Sequence, residues 1–217
     1  MGELPHPRGV ALDCDGLLVD TERLWTIAER EVFERRGWDY TEEIKAQFIG
    51  TTLEWTVDRM AELFGQPGTE AQLRVEITTR VAEVIAAQAE PMPGALELVT
   101  SLSGKVPMVV VSNSERRLVE LSLGRAGLRE AICGIVAGDE VAAGKPAPEL
   151  YLKACGLLGL DAVDVLAFED SLVGVQAAQA AGVAVVGVPT VVQDGFAPDF
   201  LFGSLADPVL QAWAAAL

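Results

Sequence analysis

The chain changes its hydrophobic rhythm several times, and the changes outline its elements. Val10, Ala11 and Leu12 form a short apolar run that stops abruptly at Asp13, Cys14, Asp15 and Gly16, which predicts a buried strand ending in carboxylates. Beyond Glu22 the period becomes helical: Leu24, Trp25, Ala28, Val32 and Phe33 share one face and Glu/Arg pairs fill the other, as far as Gly37. Further helices are predicted over 42–48, ending at Gly50, over 51–65 with Leu53, Val57, Met60, Ala61 and Phe64 as the apolar stripe, and over 70–90. No strand pattern interrupts this stretch, and the turn and helix-start chemistry of Pro91 to Gly94 closes it. An all-helical domain over 20–90 is therefore expected, inserted at about Val19 and Pro91 into a second domain made of 1–19 and 91–217.

From Pro91 onward helix and strand alternate. Helices are predicted over 94–102, 115–126 and 148–158, with a strand over 106–113 (VPMVVVSN) and a short one at Ile135 and Val136 between them. A strand over 164–171 (DVLAFEDS), a Gly-interrupted helix reaching Ala181, a strand over 183–188 and a terminal strand and helix past Asp199 complete the chain. Continuous Val-rich runs suit strands covered on both faces, so the expected fold class is α/β. Its core is a doubly wound, Rossmann-like parallel sheet, with the small helical domain inserted after the first strand.

Composition narrows the class. The chain has 217 residues, half of them hydrophobic, enough for one buried core and a small accessory domain, and no apolar run approaches membrane-spanning length. The start, MGELPHPRG, lacks the basic and apolar regions of a secretory signal and reads as a frayed lead-in, so a cytoplasmic location is expected. Cys14, Cys133 and Cys155 are odd in number and widely spaced, giving neither a disulfide framework nor zinc spacing; Cys14 reads as a small inward-pointing core residue. The net charge of −16 argues against nucleic acid and anionic membranes as partners. An anionic substrate would need a site made locally positive by a metal, a lysine or helix N-termini.

In a doubly wound sheet, ligands bind off the carboxyl ends of the strands. Those ends carry Asp13 and Asp15; Ser112, Asn113 and Ser114; and Glu169, Asp170 and Ser171, while a loop contributes Lys145. Two aspartates leaving one core strand are expensive to bury, strand alternation places both on one side of the exit, and a divalent cation would compensate them. Taken one at a time, each group has a plainer role. Either aspartate could form a helix cap or Asx-turn, Ser112 and Asn113 could cap the next helix, Lys145 could be a solvated loop lysine, and Glu169 and Asp170 could serve a helix N-terminus.

Together the segments DCDGLLVDTE, VVVSNS, GKPAPELY and FEDSLVGVQAAQAAG resemble, in order and separation, the four motifs of the haloacid dehalogenase superfamily. The likeness covers essentially the whole chain and is to the phosphatases with a helical cap. LLVDTERLWTIAE looks most like the sugar-phosphate phosphatases, with phosphoglycolate phosphatase and beta-phosphoglucomutase as further relatives. The resemblance implies an Mg2+-dependent phosphomonoester hydrolase. Asp13 would be the nucleophile that forms an aspartyl-phosphate, and Asp15 the acid and base. Asp13, the main-chain carbonyl of Asp15, and Asp170 would hold Mg2+, with Glu169 orienting one of its waters or completing the shell. Ser112, the amide of Asn113 and Lys145 would bind phosphate. A phosphate dianion beside Asp13 and Asp170 needs such a cation, since like unit charges about 4 Å apart repel by roughly 4 kcal/mol per pair at an effective dielectric of ~20.

A dehalogenase on this fold does not need Asp15, Glu169 or Asp170, and a non-catalytic binding module would not need every catalytic position filled. A phosphosugar mutase is the closer rival, but the positions of the mutase's cap histidine and arginine hold Trp25 and Leu53, and the only histidine is His6. Substrate choice is assigned to the cap, where Glu22, Trp25, Gly50, Thr51, Thr52, Trp55 and Arg59 are candidates. Thr51 and Thr52 after Gly50 lead, because a Gly-Thr loop offers amides and hydroxyls suited to a sugar or polyol. The expected partner is a small phosphorylated metabolite, a sugar or sugar-alcohol phosphate first and phosphoglycolate after, bound by a monomer or weak homodimer whose cap opens and closes about Val19 and Pro91.

Overall fold

The computed structural model describes residues 3–48, 51–190 and 194–217, and the chain divides into two compact units, Met1–Asp20 with Glu90–Leu217, and Thr21–Ala89. The first unit is built on six parallel strands: β1 (Gly9–Leu12), β2 (Met108–Val111), β3 (Gly134–Val136), β4 (Val165–Glu169), β5 (Ala184–Gly187) and β6 (Phe200–Leu201). Their order, β3-β2-β1-β4-β5-β6, turns back beside β1, so β1 and β4 flank the point where the winding reverses. Every residue of β1, β2 and β4 is buried, as their unbroken apolar runs require.

The second unit holds α1 (Glu22–Glu34), α2 (Glu42–Phe48), α3 (Leu53–Leu63) and α4 (Glu70–Gln88). Phe33 makes edge-on contacts with Tyr40, Phe48 and Phe64, with ring centroids 4.7 to 5.9 Å apart. Arg80 of α4 forks onto Glu31 of α1 at 2.5 and 2.8 Å, and Arg36 forks onto Glu76 at 3.1 and 2.6 Å. Glu29 departs from the expected charged face. It is buried among these apolar side chains and accepts the Tyr40 hydroxyl at 2.5 Å.

Helices α5 (Ala95–Leu102), α6 (Arg116–Arg125), α7 (Glu149–Leu158), α8 (Leu172–Ala180) and α9 (Pro208–Ala216) belong to the sheet unit. Ala11, Val109 and Ala167, in register across the three central strands, share a core with Leu150, Tyr151 and Ala154 of α7 and with Val175 and Ala178 of α8. Phe168, one residue on, meets Trp213 of α9 with centroids 6.0 Å apart. β2 and β4 stop short of their predicted carboxyl ends, because the chain turns off among its polar exit residues, whereas β1 and β3 each begin one residue earlier than predicted. One rung carries past each of three ends: Asp13 N donates to Phe168 O (3.0 Å), Ser112 N to Val136 O (3.1 Å) and Val188 N to Glu169 O (2.7 Å).

The lead-in is not frayed over its described residues. Leu4 is buried, Trp213 Nε1 donates to Pro5 O at 2.9 Å, and Arg8 pairs with Asp164 at 3.1 Å. Both partners lie far along the chain, so no local pattern could have signalled them.

Burial pushes the Glu29 carboxyl up to about 7 from an ordinary 4.5, against the opposing bond from Tyr40. A raised folded-state value means that stability is full below about 4.5 and is lost as pH rises through about 7. The melting temperature of the native protein should therefore fall more between about pH 5 and about pH 8 than that of Glu29→Gln, which keeps the acceptor for Tyr40. Equal falls in circular dichroism melts would show that Glu29 ionises without cost.

Candidate active site

The exits of β1, β2 and β4 converge on one lysine. Lys145 is buried, its Nζ bonds to Asp13 Oδ1, and it donates to Val111 O at 2.9 Å and pairs with Glu169 Oε1 at 2.6 Å. Its loop is held by Asn113, whose Oδ1 accepts Lys145 N (2.8 Å) and whose Nδ2 donates to Lys145 O (3.3 Å). The Asn113 side chain thus clasps the lysine's backbone, a role beyond the phosphate-binding amide expected of that residue.

Asp13, Glu169 and Asp170 each offer a carboxylate oxygen, and the three atoms lie within 4.8 Å of one another. Asp170 Oδ2 accepts the Thr190 hydroxyl at 3.0 Å. Gly16 permits this approach twice over: its φ is +83°, and a Cβ there would overlap Asp170 Oδ2. Asp13 Oδ2 is buried and has no hydrogen-bond partner among the described residues. Asp15 takes different company. Its Oδ2 accepts the hydroxyls of Ser112 (2.7 Å) and Ser114 (2.9 Å), and Ser112 Oγ also accepts Ser114 N at 2.9 Å. The chain turns at Gly16, with Gly16 N donating to Val19 O at 2.9 Å, and the Asp15 carboxylate, whose charge acts on Asp13, is not one of the three that cluster.

Burial raises the Asp13 carboxyl well above the ordinary range; Lys145 opposes the shift, and Glu169, Asp170 and Asp15 add to it. Burial and then the Glu169 charge push Asp170 up to about 7. For Lys145, burial works against the charge, but Asp13 and Glu169 more than offset it and hold the ammonium above its ordinary value. Three carboxylates around one ammonium, with a buried oxygen lacking any donor, fit a hard divalent cation. Asp13 and Asp170 could hold it, with Glu169 beside them.

Thr51 belongs to the helical unit, where its hydroxyl donates to Phe48 O (2.8 Å) and lies 2.9 Å from Thr56 Oγ1; Gly50 lies outside the described residues. Cys14 is fully buried, and burial followed by the charges of Asp15 and Asp13 raises its thiol well above the ordinary range, which keeps it protonated. Two site residues were not anticipated. Thr190 follows β5, and asking what that strand leaves at its carboxyl end would have found it. Tyr151 looks like one more member of α7's apolar stripe, but its hydroxyl donates to Glu169 Oε1; a buried phenol needs a partner, and that was the available signal.

A parallel α/β fold with buried carboxylates and a lysine at its winding reversal defines a doubly wound enzyme of the hydrolase type. The chain belongs to the haloacid dehalogenase-like hydrolases, whose family pattern matches residues 7–182. It is 37% identical over 185 residues to a probable pseudouridine-5'-phosphatase of Drosophila melanogaster, covering 82% of this chain and 79% of that one. It is 32% identical over 180 residues to the fructose-1-phosphate phosphatase of Escherichia coli, covering 83% and 95%. Among solved structures it is similar to a putative beta-phosphoglucomutase of Thermotoga maritima, with a TM-score of 0.81 at 27% identity over 97% of this chain and all of that one. The chain is a phosphatase of this family.

Removing the ammonium leaves Asp13 and Glu169 buried without their shared counter-charge. Lys145→Met should lower stability by about 3 kcal/mol at neutral pH, the usual scale for deleting one partner of a buried ion pair. Urea unfolding without divalent cation measures this, and a loss below about 1 kcal/mol would mean that the pairing is not structural.

Proposed function

We propose that the chain hydrolyses a small phosphomonoester, a sugar or sugar-alcohol phosphate first and phosphoglycolate next, through an aspartyl-phosphate on Asp13. The observation that carries this reading is the Asp13 carboxylate: buried at the strand end, bonded to Lys145 through one oxygen and free of protein donors at the other. The relatives named above support the substrate class, since both are called phosphatases of small phosphorylated metabolites.

In the first step an Asp13 oxygen attacks phosphorus, the P–O bond to the alcohol breaks, and Asp15 in its protonated form gives its proton to the departing oxygen. In the second step Asp15 takes a proton from water, the water oxygen attacks phosphorus, and the bond to Asp13 breaks, restoring both carboxyl groups. Ser112 and Ser114 hold Asp15 Oδ2 and aim its carboxyl before substrate enters; with phosphate bound, Ser114 keeps that hold while the Ser112 hydroxyl turns to the phosphoryl oxygens with the Asn113 amide. Lys145 neutralises charge on Asp13 and phosphate together. Mg2+ held by Asp13, Asp170 and the carbonyl of Asp15 would add electrostatic stabilisation of the phosphoryl oxygens. The helical insert, 20–90, is assigned substrate choice as a cap, with Thr51 and Thr52 after Gly50 leading.

The mutase alternative draws on the likeness to the Thermotoga maritima structure. Against it, Trp25 and Leu53 stand where the mutase's histidine and arginine were sought, and the chain's only histidine, His6, is an exposed residue of the sheet unit. No helix among the described residues is long and apolar enough to cross a membrane; a cytoplasmic enzyme acting as a monomer or weak homodimer completes the proposal.

Asp13→Asn should reduce turnover of a phosphorylated-metabolite panel by about 10³-fold or more while the melting temperature stays near that of the native protein. EDTA should silence the native enzyme and Mg2+ restore it. Retained hydrolysis in the variant, or full activity in EDTA, would remove the nucleophile or the cation from the scheme. Conversion of a sugar 1-phosphate to its 6-phosphate isomer in a bisphosphate-primed assay would favour the mutase.

A further inference from the structure

Tyr151 is fully buried on α7 and takes no part in the steps above. Its hydroxyl donates to Glu169 Oε1, the same oxygen that pairs with Lys145 Nζ at 2.6 Å. The lysine nitrogen lies 5.6 Å from the centroid of the tyrosine ring. On another side the Glu169 carboxylate lies so close to Gly174, in the first turn of α8, that a Cβ there would overlap it. Ser171 Oγ stands 3.5 Å from Oε2. Glu169 is thus held by a phenol, an ammonium and a helix start, whereas Asp13 keeps a buried oxygen without any donor.

Resting on the hydrolase reading, we propose that the Tyr151 hydroxyl is a positioning group for phosphoryl transfer: it fixes Glu169 as the anchor of Lys145 and keeps that carboxylate out of the cation's ligand set. Two donors on one oxygen divide its charge between them. Without the phenol, Oε1 bonds the ammonium alone, and Lys145 is drawn from Asp13 toward Glu169. The attacking carboxylate and the phosphoryl oxygens then lose part of the positive charge they share. Groups that bind ground-state phosphate, Ser112 and the Asn113 amide, are untouched, so the loss falls on the chemical step.

The test is a cycle of Tyr151→Phe, Glu169→Gln and the double variant, read as kcat and KM at saturating Mg2+, with calorimetric Mg2+ titration of each protein in the absence of substrate. Tyr151→Phe keeps the ring, and it should lower kcat about tenfold, the scale of one charge-assisted hydrogen bond, with KM within about threefold. The double variant should be no slower than Glu169→Gln alone, because the hydroxyl acts only through that carboxylate. Mg2+ affinity in Glu169→Gln should stay within about threefold of native, whereas Asp170→Asn should weaken it more than about tenfold. A kcat within about twofold of native in Tyr151→Phe, additive losses in the cycle, or Mg2+ binding weakened as much by Glu169→Gln as by Asp170→Asn would each overturn the proposal. If Tyr151→Phe does not fold, Glu169→Gln still decides through its Mg2+ affinity. The calorimetry needs no turnover, so it reads the Tyr151–Glu169 assignment separately from the hydrolase reading, which Asp13→Asn decides.

Discussion

A single ammonium buried between two carboxylates is the contact on which the rest of the site depends. Lys145 reaches Asp13 at the end of β1, the Val111 carbonyl at the end of β2 and Glu169 at the end of β4. Each of these strands would otherwise deliver an unsatisfied polar group into a closed space, at a cost of several kcal/mol for every unpaired charge. The lysine compensates all three with one charge and three N–H donors. Its own burial opposes ionisation, and the two carboxylates more than reverse that, holding the ammonium above its ordinary value.

The fold makes this arrangement possible because parallel strands point their carboxyl ends the same way. β1 lies between β2 and β4, and the winding reverses between β1 and β4, so the connections leaving those two strands diverge. The rungs that continue to Asp13, Ser112 and Val188 carry sheet rigidity one residue beyond the strands, into the site itself. The lysine comes from a loop, which is an imprecise support, but the side-chain amide of Asn113 bonds both its N–H and its carbonyl. Placement of Lys145 is thereby referred back to β2.

Much of this was legible in the chain because strand rhythm and strand-end chemistry are both local signals. Val-rich runs marked fully covered strands, the helical period of 21–90 marked the insert, and polar residues at the same end of successive strands marked the site. What was not legible depended on partners distant in sequence. Glu29 sits in a charged stretch of α1 yet is buried, because Tyr40, beyond the helix end, supplies its donor. Leu4 and Pro5 look like a loose terminus, but Leu4 is buried and Trp213 bonds the Pro5 carbonyl. Tyr151 counted as apolar by its period, and only the three-dimensional neighbourhood of Glu169 shows what its hydroxyl is for.

An acidic chain that handles phosphate poses an electrostatic difficulty, and the geometry answers it. The net charge is −16, but most acidic groups are exposed, and at physiological ionic strength their fields decay over about 8 Å. Charges in the buried site are screened far less, so the substrate responds to the few groups within hydrogen-bonding reach. Those groups are mostly carboxyls crowded together: burial and mutual repulsion already lift Asp13 and Asp170 above the ordinary carboxyl range. A phosphate could enter only if positive charge entered as well, and Lys145 is already shared by two carboxylates. The same surplus of negative charge that disfavours an anion therefore favours a divalent cation, and with that cation bound the site would attract the substrate that the chain as a whole repels.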